Sequence, residues 1–294
     1  MALALVACAE GAEPDEEGPL VVVTTSILGD LASSVVADEA QIEVLIPRGI
    51  DPHEFSPSAQ QASLVAAADL VVANGLQLEA GLVDVLAAAS GDGVRVVELA
   101  PLIDPLPFAY PGLDGADEDE LDPHFWMDPA RVGDAALALG DELAGSHPGG
   151  AWEDRAEGYA AEMDATDGEI RKILSAIPET RRKMITNHAA FGYFAARYEF
   201  ELLGVVIPGG STLAEPSSAR LAELVEIMDR EGARVIFAET TQPTTLAEAL
   251  TDELGAEVEV VTLFTGSLGD PGSGAESLAE MLITNAGLIA EALG

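Results

Sequence analysis

The chain contains four histidines, and three of them share a placement that suits metal coordination. His53 stands in Asp51-Pro52-His53-Glu54-Phe55, His124 in Asp122-Pro123-His124-Phe125-Trp126, and His188 in Thr186-Asn187-His188-Ala189-Ala190-Phe191. Imidazole nitrogen is a borderline donor suited to zinc, and three such ligands with one further group make a tetrahedral site. The Asp-Pro-His triplet occurs twice. Proline stiffens each approach, and the Asp two residues before the His is placed to orient the imidazole through a turn or a hydrogen bond. The three histidines are separated by 71 and 64 residues, so no local motif exists and the fold itself must assemble any such site. Taken singly, each is more readily a loop or hydrogen-bonded core histidine. His147, in Ser146-His147-Pro148-Gly149-Gly150 at a helix end, is read that way.

The elements that would position these residues alternate between short apolar runs and helix-length segments. Strands are expected over 20–24, 42–46, 70–73 and 94–99, with helices over 28–37, 59–68 and 82–89. Residues 100–127 break the rhythm with prolines and an acidic run over 114–122. Asp128 then caps a helix with Pro129 at its first position, ending near 146. A long polar helix over 152–177 is a candidate connector. Strands follow over 183–186, 202–207, 235–238 and 258–264, and helices over 217–231, 246–254 and 275–293. The fold class implied is α/β, with two lobes, each a mostly parallel sheet flanked by helices, joined by one long connector helix. The divisions are a tether over 1–19, a first lobe over 20–150, a connector over 151–177 and a second lobe over 178–294. Ligands of open α/β sheets sit beyond the carboxyl ends of strands, which points to the cleft between the lobes.

Composition narrows the function. Thirteen basic residues against 52 acidic ones give a net charge of −39, so nucleic acid, which demands clustered Lys and Arg, is excluded as a partner. The acidity fits either adaptation to high salt, which screens self-repulsion, or simply a soluble surface. One cysteine allows neither an internal disulfide nor a Cys-based zinc site. That residue, Cys8, ends Leu5-Val6-Ala7-Cys8, which looks like a bacterial lipoprotein box, although residues 1–7 lack the basic and apolar regions of a signal peptide. Residues 9–18 read as a flexible tether.

Longer blocks surround these histidines: Asp51-Pro52-His53-Glu54-Phe55-Ser56-Pro57-Ser58, then 68–75 with Leu78-Glu79, then Asp122-Pro123-His124-Phe125-Trp126-Met127-Asp128-Pro129, Asn187 to Phe194, and Leu263-Phe264-Thr265-Gly266-Ser267-Leu268-Gly269. In order and spacing the chain resembles the metal-binding components of bacterial zinc and manganese ABC importers from Val21 to Leu293. The resemblance implies an extracytoplasmic, tethered monomer that captures zinc, with manganese as the alternative, and delivers it to an ABC permease in the membrane. It implies His53 and His124 as ligands from the first lobe and His188 from the second. Relatives usually add a carboxylate where this chain has Gly266, which leaves water, Glu239 or Asp270 as the fourth group. Relatives tuned for manganese place a carboxylate at the position of His188, which favours zinc here. Two other readings remain at this point: a zinc hydrolase using the open fourth position, and a surface adhesin.

Overall fold

The computed structural model describes residues 18–108, 120–207, 209–214, 217–242 and 258–294. The first lobe runs β1 (Leu20–Val23), α1 (Ser26–Val36), β2 (Gln41–Val44), α2 (Ala59–Ala66), β3 (Leu70–Ala73), α3 (Val83–Gly91) and β4 (Arg95–Glu98). Its four strands are parallel in the order β2-β1-β3-β4. Two helices follow, α4 (Pro129–Ser146) and α5 (Trp152–Leu174). The second lobe holds β5 (Lys183–Thr186), α6 (Gly192–Tyr198), β6 (Glu201–Val205), α7 (Ser218–Glu231), β7 (Val235–Glu239), β8 (Glu259–Leu263) and α8 (Leu278–Leu293). Its sheet is parallel in the order β6-β5-β7-β8, so both lobes follow one plan.

Side chains alternate between sheet faces, and the alternation sorts them into separate cores. Val21 and Val23 of β1, Leu70 and Val72 of β3, and Val235 and Phe237 of β7 face one apolar core that is continuous through both lobes. Val22, Val71 and Ala73 face a second core under α2 and α3. Ile185 and Ile236 face a third under α7. The shared core is closed by α5, which packs on α1, α4 and α8. Asp30 ties three of these helices together. Its Oδ2 accepts from the Tyr159 hydroxyl on α5 (3.0 Å) and from the Leu278 N–H at the start of α8 (3.1 Å).

The α4–α5 contact depends on glycine. A Cβ on Gly140 would lie 2.8 Å from Cβ of Ala156, whereas one on Gly158 of α5 would meet nothing within 4 Å. Gly140→Val is therefore expected to destabilise the fold by about 1–3 kcal/mol through overpacking. Gly158→Ala should instead stabilise it by roughly 0.5–1 kcal/mol, because it removes backbone freedom from the unfolded chain. Urea unfolding followed by circular dichroism measures both. Equal effects would mean that the two helices do not pack this closely.

Helix caps appear where residue chemistry places them. The Asp128 carboxylate accepts from Ala130 N–H (2.9 Å), the Ser217 hydroxyl from Arg220 N–H (3.2 Å), and Thr25 starts α1 two residues before its expected onset. Helix α6 is an addition to the sequence expectation. Its seven residues are too short for a clear helical period, although Phe191/Ala195 and Phe194/Tyr198 already stand at i, i+4. The helix expected over 246–254, Cys8 with its tether, and most of the acidic loop lie outside the described residues. No helix among the described residues is long and apolar enough to cross a membrane.

Candidate metal centre

Every residue of the histidine cluster sits at the carboxyl end of a strand or in the loop beyond it. His53 lies in the loop after β2, His124 caps a short 3-10 turn (Phe125–Met127) ahead of α4, and His188 follows β5 by two residues. The fold brings together ring nitrogens that are far apart in sequence. Nε2 of His124 is 3.2 Å from Nε2 of His53 and 3.2 Å from Nε2 of His188, and all three histidines are buried. Among the described residues these three are the set whose ligand atoms all lie within 4.8 Å of one another.

The far side of each ring decides what its Nε2 can do. Asp122 Oδ1 accepts from His124 Nδ1 at 2.7 Å and from the His124 backbone N–H at 2.9 Å. An ionised carboxylate can only accept, so with Asp122 charged Nδ1 of His124 carries the hydrogen and its Nε2 presents a lone pair. Glu239, the last residue of β7, treats His188 in the same way. Its Oε1 accepts from His188 Nδ1 and, at 3.2 Å, from His188 N–H, while Oε2 accepts from the buried Thr265 hydroxyl at 2.6 Å. The second Asp-Pro-His triplet behaves differently. Asp51 Oδ1 takes the His53 N–H (2.9 Å), but its other oxygen accepts from Gln242 Nε2. Two identical triplets thus serve different ends: one orients an imidazole, and the other closes a turn and reaches across the cleft.

Electrostatics follow from burial and these partners. Burial, then the neighbouring His124 and His188, pull the His53 pKa down to about 2, and burial holds His124 well below the usual range. Burial pushes Asp122 up to about 7 against the pull of the His124 N–H. Burial by itself lowers His188, but Glu239, by charge and by hydrogen bond, with Asp51 and Asp122, carries it above 6.5. Burial raises Glu239, and the His188 charge and hydrogen bond bring it below its ordinary value. The pairing of His188 with Glu239 thus favours the imidazolium–carboxylate form of the pair. His53 and His124 remain neutral.

Two lone-pair nitrogens 3.2 Å apart repel unless a cation or a shared proton lies between them. Two imidazoles on a tetrahedral zinc, with bonds of about 2.0–2.1 Å, place their nitrogens roughly 3.3 Å apart. The two separations that run to His124 have that spacing, and the His53–His188 pair closes within 4.8 Å. Around it, Trp126 stands edge-on to the His124 ring, with centroids 5.3 Å apart, and donates its Nε1–H to Thr265 O across the cleft (2.9 Å). Tyr193 of α6 accepts from Leu106 N–H (3.0 Å) and donates to Asp122 O (2.9 Å), so the second lobe holds the segment that carries His124. Sequence reasoning missed Tyr193, Thr265 and Gln242, whose residue types announce nothing until the lobes meet.

The remaining candidates fall elsewhere. A Cβ on Gly266 would lie 2.9 Å from Cδ of Pro52, so the proline ring beside His53 presses where a side chain would start. Asp270 is exposed. His147 caps the C-terminus of α4, with Nδ1 3.1 Å from the Ser146 hydroxyl and its carbonyl accepting from Trp152 Nε1–H, in keeping with a structural role.

Comparisons with known proteins bear on this arrangement. Residues 21–292 match the family model described as zinc-uptake complex component A, periplasmic, ZnuA. The manganese-binding lipoprotein MntA of Halalkalibacterium halodurans is 29% identical, over 97% of this chain and 93% of that protein. The zinc-binding protein TroA of Treponema pallidum is 30% identical, over 94% of this chain and 89% of that one. The solved structure of the periplasmic zinc-binding protein TroA from Treponema pallidum superposes with a TM-score of 0.85, covering 94% of this chain and 99% of the other.

Proposed function

Because the chain belongs to the ZnuA family of solute-binding proteins of ABC transporters, which are not enzymes, we propose that it captures one zinc ion between its lobes and hands it to a membrane permease of the ABC type. The observation that carries this reading is the convergence of three buried Nε2 atoms, at least one with its lone pair fixed inward by a carboxylate on the far nitrogen. His53, His124 and His188 hold the ion. Asp122 and Glu239 hold two of the imidazoles, which raises their basicity and fixes their rings. With both Glu239 oxygens engaged, solvent takes the fourth position.

Relatives are named for zinc and for manganese, so the ligand set must decide between the metals. Imidazole suits zinc, whereas manganese prefers harder oxygen donors. The protein acts outside the cytoplasm as a monomer tethered through a lipidated Cys8, and the stiff α5 restricts opening to small rotations of the lobes. Calorimetric titration of chelator-stripped protein with zinc and then manganese tests the reading. One tight zinc site with much weaker manganese is expected, and the absence of stoichiometric uptake would end the proposal.

Binding should also depend on pH in one direction. His188 has a pKa raised above 6.5 in the free protein, and an imidazolium offers no lone pair. Zinc must displace that proton, so affinity is full above the raised pKa and falls by about tenfold per pH unit below it. His53 and His124 are already neutral there and add nothing to the slope. Titrations in buffers of different ionisation enthalpy should approach one proton released per zinc well below the raised pKa and fall to about half a proton at the midpoint. A pH-independent affinity from acid to neutral would contradict the His188–Glu239 pairing.

A further inference from the structure

The segment leading into the histidine cluster crosses the cleft once more, at Phe108. Residues 106–108 and 120–122 pair as a short antiparallel stem. Pro107 bridges Leu121, Phe108 N–H donates to Glu120 O (3.0 Å) and Asp122 N–H to Leu106 O (2.7 Å). The stem is tied at its base, where the Tyr193 hydroxyl bonds Leu106 on one strand and Asp122, its partner, on the other. It presents the Phe108 ring edge-on to His124, with centroids 6.3 Å apart and planes at 66°. The ring is half-buried.

Its seat lies on the other lobe. A Cβ on Gly210, in the loop after β6, would run into the outer atoms of the Phe108 ring, so a glycine is required for the ring to lie there. The preceding Gly209 has φ +100°, a conformation that side chains disfavour, and it turns the chain so that Gly210 faces the ring. An aromatic ring anchored on the first lobe thus packs against Gly210 on the second, beside the His124 imidazole. No hydrogen bond or ion pair accounts for this contact.

We propose that Phe108, seated on Gly210, caps the cleft and sets the rate at which the ion enters and leaves. The proposal rests on the metal-capture reading above. A cap slows entry and exit alike, because the ring must leave its seat before either, so it changes rates more than equilibrium affinity. A residue that merely supported the ligands would do the reverse.

The test mixes zinc-loaded full-length protein with excess EDTA in a stopped-flow instrument and follows release with a zinc-sensitive dye, with calorimetric affinities measured alongside. Phe108→Ala is expected to release zinc about tenfold faster or more while equilibrium affinity stays within about threefold. Gly210→Ala, which forces the ring out of its seat without removing it, should speed release similarly. The double variant should be no faster than Phe108→Ala, since the two substitutions break one contact. If Phe108→Ala fails to fold, Phe108→Leu and Gly210→Ala carry the same comparison. Unchanged release rates with normal zinc uptake would overturn the cap alone. Additive rate effects in the double variant would do so too, as would affinity falling in step with the off-rate. A wild-type chain that takes up no zinc would overturn the capture reading beneath it.

Discussion

His124→Ala is expected to weaken zinc binding by about a thousandfold or more, the largest effect of any single substitution in the protein. Both 3.2 Å separations in the cluster run to its Nε2, so on the proposed reading it is the central ligand, through which the other two meet. Structural zinc sites reach roughly 10–16 kcal/mol of apparent binding energy, so one imidazole among three or four ligands accounts for about 4 kcal/mol, or near a thousandfold. Removal also strands Asp122, which is 1% exposed and loses its imidazole partner. A buried carboxylate already raised to about 7 will then take up a proton rather than remain charged. His53→Ala and His188→Ala should follow closely in calorimetric titration, while His147→Ala leaves affinity unchanged. Stoichiometric tight binding that survives His124→Ala would place the ion somewhere else.

Glu239→Gln is expected to weaken zinc binding by about 10–100-fold, the range for a group that orients a ligand without touching the metal. The amide keeps the shape and can still accept from His188, but it loses the charge that lifts the imidazole above 6.5. Two consequences separate this from a ligand loss. Affinity at neutral pH falls less than in the histidine variants. The acid-side loss of affinity moves to lower pH, because an imidazole with a lower pKa gives up its proton more readily. Titrations at two pH values read both. A loss as large as that of His124→Ala, with no shift in the pH dependence, would make Glu239 a direct ligand and contradict the engagement of its two oxygens by His188 and Thr265.

Much of the fold was legible in the sequence because its cause is local. The runs at β1, β3 and β7 are short and mainly apolar, and strands buried on both faces leave no other pattern. Asp128-Pro129 and Ser217 announce helix starts through their own capping hydrogen bonds. Boundaries drifted where a backbone ladder outlasts the regular strand. Leu45 and Ile46 still donate to Val23 and Thr24, although β2 ends at Val44. Helix α6 escaped notice since seven residues carry barely two turns of periodicity.

The site divides along the same line. Residue type determined the chemistry: imidazoles in stiffened loops beyond strand ends, an acid two residues before two of them, a single cysteine that cannot build a Cys-based site, and a charge that excludes nucleic acid. None of these fixes a position in space across separations of 71 and 64 residues. Only the packing of two lobes on α5 brings the Nε2 atoms to 3.2 Å. That packing alone made Asp122 an imidazole partner and its twin Asp51 a cross-cleft acceptor. It also turned Glu239 toward the far nitrogen of His188 and set Phe108 against Gly210. Local propensity acts over a turn or a strand, whereas a coordination sphere is a set of distances between groups that meet only when the core between them is buried.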